Sequence, residues 1–180
     1  MYLGSEMDWG GGLAGEVGRR VAAGRRSFWG LRRLWRDGGV SVGVKARVYA
    51  AVVRSVLLYA TETWPARLAD VRALEVFDRW CLRRVVGGKL AFGMSSVELM
   101  RRAGLADMGE LVRERRWRWL GHVLRMGSER WPRRCLELGG ALGAEGAGRV
   151  RGGRRMGWLR LVLREWRGGR SFRGVRPCSL

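Results

Sequence analysis

From Glu16 onward, apolar residues return every third or fourth position, the spacing of one face of an α-helix. Val17, Val21, Gly24, Phe28, Leu31 and Trp35 predict a first long helix, and the run Asp37-Gly38-Gly39 ends it. Ser41 is a good N-cap for a second helix through Val44, Val48, Val52, Ser55 and Tyr59, which Pro65 stops. Apolar residues nearly encircle that segment (VYAAVVRSVLLYA), so it is expected to be the most buried helix. A third helix is expected over residues 68–86, with Val71, Leu74, Phe77, Cys81 and Val85 on one face and Gly87-Gly88 closing it. Ser95 or Ser96 caps a short helix through Arg102, and Asp107 caps a longer one. Pro132 permits a short helix toward Leu138, and residues 156–166 can form an amphipathic helix of two or three turns.

The remaining segments read differently. Met1 to Ser5 suits a short strand leading into a turn, with a glycine loop over residues 9–13. Residues 139–153 hold few large apolar side chains and much Gly and Ala, as a linker does. Residues 167–180 look like a flexible basic tail. The expected fold class is mainly α: a helical bundle preceded by a short residual β-strand and followed by that tail.

Composition narrows the partners. A chain of 180 residues, 47% hydrophobic, can bury a core as one domain or two small helical ones. Its net charge of +20 opposes compaction unless an anion neutralises it. Nucleic acid is the commonest such partner, an anionic membrane surface the second. Lys45 and Lys89 are the only lysines among 36 basic residues, and 29 Gly and 10 Trp accompany the arginines. A GC-rich coding sequence produces that skew, so the sign of the charge carries more weight than its size. Cys81, Cys135 and Cys178 are too few and too widely spaced for a disulfide scaffold. No apolar run approaches the roughly 18–20 residues of a membrane span, and no signal peptide is visible at the start. An intracellular location is expected, nucleus or cytoplasm being left open.

The densest chemistry lies in RRWRWLGHVLRM, Arg115 to Met126. Arginine forks onto phosphates and tryptophan offers a stacking surface. Arg113, Arg116, Arg118 and Arg125 are candidates for phosphate contact and Trp117 for stacking, with a merely solvated helix face as the alternative. Met108, Val112, Trp119, Val123 and Met126 form the apolar stripe, widened by Leu111 and Leu120, which assigns Trp119 to the core. His122 stands alone and reads as structural. The gaps separating Cys81, His122, Cys135 and Cys178 match no zinc knuckle. Glu62, Asp70, Glu75 and Asp78 sit among arginines, as helix-surface ion pairs would. Paired aspartates, a P-loop and a Gly-x-Ser-x-Gly elbow are all missing, so no catalytic residue, metal ligand or small-molecule substrate is expected. The segment from Gly148 to Arg176, which includes Arg154 and Arg155, has the Gly-Arg character of loose RNA and DNA binders.

Several longer strings occur in a fixed order. They are YLGS at Tyr2 to Ser5, EVGRRV at Glu16 to Val21 with Phe28 and Leu31 after it, and VSVGVKARVYAAVVRSVLLYATETW at Val40 to Trp64. Then come DVRALEVFDRWCLRR at Asp70 to Arg84, RRWRWLGHVLRM, and RGGRRMGW at Arg151 to Trp158. In this order the chain resembles, nearly end to end, the C-terminal part of reverse transcriptases of non-LTR (LINE-like) retrotransposons. The resemblance implies that residues 1–15 are the end of the palm, 16–138 the helical thumb and C-terminal region, 139–153 a linker, and 154–180 a short helix and basic tail. It also implies that the metal-binding aspartates of that RNA-directed DNA polymerase, which precede YLG and use Mg2+, are not in this sequence. The expectation is a fragment without polymerase activity of its own and without a cofactor. Its residual role would be sequence-nonspecific binding of RNA or DNA, as duplex or RNA–DNA hybrid, through Arg113, Arg116, Trp117, Arg118, Arg125, Arg154 and Arg155. The alternative is a domesticated or degenerate remnant acting as a structural protein or lacking a role. Departures from the family are Ala60, where it usually has Gly, and Gly18, Gly24 and Gly30, where better helix formers are usual.

Overall fold

Ser41 shows how local chemistry sets these helices: its hydroxyl accepts a hydrogen bond from the Val44 amide, three residues into the helix it opens. A computed structural model describes residues 13–87, 91, 93–137 and 158–167, and these residues are mainly helical with no strand among them. The expected strand at 1–5, the linker at 139–153 and the tail expected at 167–180, apart from Arg167, which is helical, lie outside the described residues. The chain divides into two compact units at Trp119 and Leu120, inside the region 16–138.

The first unit starts with α1 (Ala14–Gly30) and α2 (Arg32–Arg36). The apolar spacing predicted one helix here, and it breaks at Leu31, whose backbone is no longer helical. The break lets Trp35 fold back: its indole donates to the Phe28 carbonyl at 2.7 Å and its ring stacks on Phe28 at 5.2 Å. The Lys45 ammonium then donates to the Trp35 carbonyl at 3.3 Å, a cation at the end of a helix. Gly24 also has a use. A Cβ added there would stand 2.8 Å from Leu57 Cδ2, so its absence allows close approach of α1 to the next helix.

That next helix runs as α3 (Val42–Tyr49), a π-helical stretch (Ala50–Arg54) and α4 (Ser55–Leu57). It is well buried, through Ala46, Tyr49, Val53, Arg54 and Leu57. It ends before Pro65, at a left-handed residue: Ala60 has φ 59° and ψ 9°. An L-residue with a Cβ pays about 1–2 kcal/mol for that conformation, and glycine does not. Ala60→Gly is therefore expected to raise unfolding stability by about 1 kcal/mol, read as a shift of the denaturant midpoint at unchanged m-value.

α5 (Leu68–Val86) has the predicted bounds. Asp70 accepts from the Arg67 amide at 2.7 Å at its start, and Gly87, at φ 115°, ends it. α6 (Ser96–Ala103) is capped by Ser95, whose hydroxyl accepts from the Glu98 amide at 3.2 Å. The Asp107 carboxylate accepts from Gly109 N at 2.8 Å and opens α7 (Met108–Leu124). α1 packs on α4, on the π stretch and on α5, while α3 packs on α5 and α6. In the second unit, residues 131–137 are helical (α8), as is α9 (Trp158–Arg167).

The core of the first unit contains charge. Asp78 is fully buried, not one of the surface ion pairs its neighbours suggested. Arg54 Nη2 donates to its Oδ2 at 2.7 Å, and Arg54 Nε to Oδ1 at 2.8 Å. The Tyr49 hydroxyl donates to the same Oδ1 at 2.8 Å. The π stretch explains this convergence. Residues five apart lie about 140° apart around an α-helix, and the wider i→i+5 turn brings Tyr49 and Arg54 onto one face. Arg54 also donates to the Ala106 carbonyl at 2.8 Å, tying α5 and the π stretch to the start of α7. Burial pushes the neighbouring Cys81 thiol up to about 12, so it behaves as a small apolar side chain.

Candidate nucleic-acid interface

α7 holds three of the six arginines expected to meet phosphate, with Arg125 just beyond its end, and it treats them unequally. Its buried side chains are Met108, Val112, Arg116, Leu120 and Val123, a stripe with steps of four and a last step of three. Arg116, at 1% exposure, occupies the place expected for Trp119, which is only half-buried. Its guanidinium is withdrawn from solvent, which corrects its assignment as a phosphate contact. Trp117 is half-buried as well. Arg118 and Arg125 are exposed and Arg113 is partly so. Arg118 already pairs with Glu114 one turn back. Arg115 reaches the Leu58 carbonyl at 3.1 Å and Glu62 at 3.8 Å. His122 is exposed near the end of the helix. Arg154 and Arg155 lie outside the described residues.

The same sorting applies elsewhere. Glu16 holds Arg19 and Arg20, and Glu75 holds Arg79 at 3.5 Å. Glu98 binds Arg101 and Arg102, each at 2.8 Å, and these hydrogen bonds lower its carboxyl to about 2. Carboxylates thus occupy much of the arginine that composition counts as free.

α1 and α2 differ. Between residues 17 and 61 the only acid in the sequence is Asp37, and its carboxylate caps Gly39 N at 2.8 Å. Arg25, Arg26, Arg32, Arg33 and Arg36 are all exposed and form no ion pair among the described residues. A shallow open cleft of about 740 Å³ lies on this surface, lined by Gly18, Ala22, Arg25, Arg26, Trp29 and Arg32 among others. Trp29 is 43% exposed. Its ring is braced edge-on by Phe28 at 5.8 Å and by Trp80 at 5.9 Å, so neither neighbour lies parallel to it. Trp80 also carries Phe77, stacked at 5.8 Å, and the Arg84 guanidinium 3.5 Å from its centroid.

Sequence reasoning passed over this surface because its arginines are less crowded than those at Arg115 to Met126. The usable signal was the lack of Asp or Glu within four residues of Arg25, Arg26 and Arg32. Chemically, the surface can neutralise several phosphates and stack one aromatic ring. Among the described residues, no group of three or more His, Cys, Asp or Glu side chains could hold a metal ion, and no helix is long and apolar enough to cross a membrane. Comparison with protein-family models, with curated proteins and with solved structures found no match to this chain.

Proposed function

We propose that this chain corresponds to the thumb and C-terminal region of a non-LTR retrotransposon reverse transcriptase, and that its own capacity is to hold nucleic acid by the phosphate backbone. The order of the quoted strings supports the family reading, and so does Ala60. The family's usual glycine at that position suits the left-handed backbone found there. Residues 1–180 contain no Asp-Asp pair to hold the polymerase's metals, so polymerisation is not part of the proposal.

One observation carries the binding reading: the cluster of exposed, carboxylate-free arginines on α1 and α2. Arg113 of α7 and Arg125 just beyond its end are the further contacts; Arg118, paired with Glu114, and the buried Arg116 are not among them. Arginines that displace condensed counterions make affinity fall steeply with salt. With about four phosphate contacts, affinity for an RNA–DNA hybrid should drop roughly 100-fold between 50 and 200 mM salt, measured by anisotropy of a labelled hybrid. No affinity at the lower salt, or affinity indifferent to salt, would rule the reading out.

A further inference from the structure

The cleft on α1 offers more than charge. Backbone-only recognition of a duplex needs cations, and an exposed tryptophan beside them adds nothing, because paired bases are stacked on each other. An unpaired base has a free face. We infer that the α1 cleft takes an unpaired nucleotide of a single-stranded segment, its base stacked on Trp29 and its flanking phosphates held by Arg25, Arg26 and Arg32.

Four observations converge on this occupant. The cleft volume of about 740 Å³ falls within the range of about 300–1,000 Å³ typical of small-ligand sites. The charged residues found lining it are all arginines, and none forms an ion pair among the described residues. Trp29 is braced edge-on by Phe28 and Trp80, which limits the ordering cost of stacking on it. Gly18 and Ala22 line it with small side chains, and a Cβ added at Gly18 would meet nothing within 4 Å. Stacking on an aromatic side chain is worth about tenfold or more in affinity per base and tolerates any base, because every base has a π-face. Single-strand binding without sequence preference follows.

This inference rests on the backbone-binding reading, and two probes separate their fates: a fluorescein-labelled oligo(dT) strand and a blunt duplex of equal length. Trp29→Ala should weaken oligo(dT) binding by about tenfold and leave duplex binding unchanged, while Trp29→Tyr retains most of the affinity. Gly18→Leu puts a bulky side chain on the cleft lining and improves helix propensity, so its expected loss of oligo(dT) binding does not arise from unfolding. The inference is overturned if Trp29→Ala and Gly18→Leu leave oligo(dT) affinity intact, or if both probes lose affinity equally. An unaltered chain that binds only the duplex also overturns it, while the backbone-binding reading stands. Binding of neither probe overturns both.

Discussion

Asp78→Ala is expected to destabilise the fold by about 3–5 kcal/mol, the cost of breaking a buried ion pair from one side. Asp78 is fully buried and Arg54 is 3% exposed, so neither can exchange its partner for bulk water. Removing the carboxylate takes acceptors from Arg54 Nε, Arg54 Nη2 and the Tyr49 hydroxyl together. The guanidinium keeps the Ala106 carbonyl but loses its counter-charge. Domains of this size have about 5–15 kcal/mol in total, so the variant stands near its unfolding threshold. Replacing the set at once, as Tyr49→Phe with Arg54→Met and Asp78→Leu, removes the groups that need satisfying and should recover at least half of the loss. Denaturant unfolding followed by tryptophan fluorescence reads both variants. An Asp78→Ala midpoint equal to that of the parent would mean that this network does not hold the first unit together.

Arg116→Ala should also act on stability, at about 2–4 kcal/mol, although its sequence setting suggests a binding residue. Its side chain lies at 1% exposure on the stripe of Met108, Val112, Leu120 and Val123. Truncation removes a long aliphatic stem and a charged head from a buried site, so the packing of that stem is lost. Arg118→Ala provides the contrast. Its partner Glu114 lies one turn away on an exposed face, and such pairs are worth only about 0.3–0.5 kcal/mol. Thermal unfolding should separate the two variants clearly. Any loss of nucleic-acid affinity in Arg116→Ala should follow the unfolded fraction, whereas Arg118→Ala should leave the chain fully folded. Equal melting temperatures for Arg116→Ala and the parent would overturn its placement in the core.

Much of the helical layout was legible because helix ends are local chemistry. Ser41, Ser95 and Asp107 are caps by side-chain type alone, and Gly87 ends α5 with a positive φ that a glycine accommodates. Three features were not visible locally. The break at Leu31 keeps the apolar spacing intact on both sides, so periodicity runs through it unmarked. The π stretch leaves no mark in propensity, and without it Tyr49 and Arg54 do not meet. Ala60 takes a conformation that its own type disfavours.

The buried charges were legible in part. Asp78 stands at the centre of Leu74, Asp78, Leu82, and Arg116 follows Met108 and Val112 at the same interval. Register placed both inward, while residue type argued for the surface; at Asp78 register won because Arg54 and Tyr49 satisfy the charge inside. The proposed binding surface turns on a different signal. Arginine density drew attention to α7, yet the presence of a carboxylate one turn away decides which arginines stay open. Glu114 beside Arg118 and Glu98 beside Arg101 and Arg102 are readable from sequence, as is the lack of any acid beside Arg25, Arg26 and Arg32.

The central claim is that the open arginines of α1 and α2 meet phosphate. The salt dependence of hybrid binding, compared between the parent chain and an Arg32→Gln, Arg33→Gln, Arg36→Gln variant, tests it most directly. Each lost phosphate contact lowers the slope of log affinity against log salt by about 0.9. The account predicts a slope shallower by two to three such steps, with the thermal midpoint unchanged because all three side chains are exposed. An unchanged slope and affinity in the folded variant would contradict it.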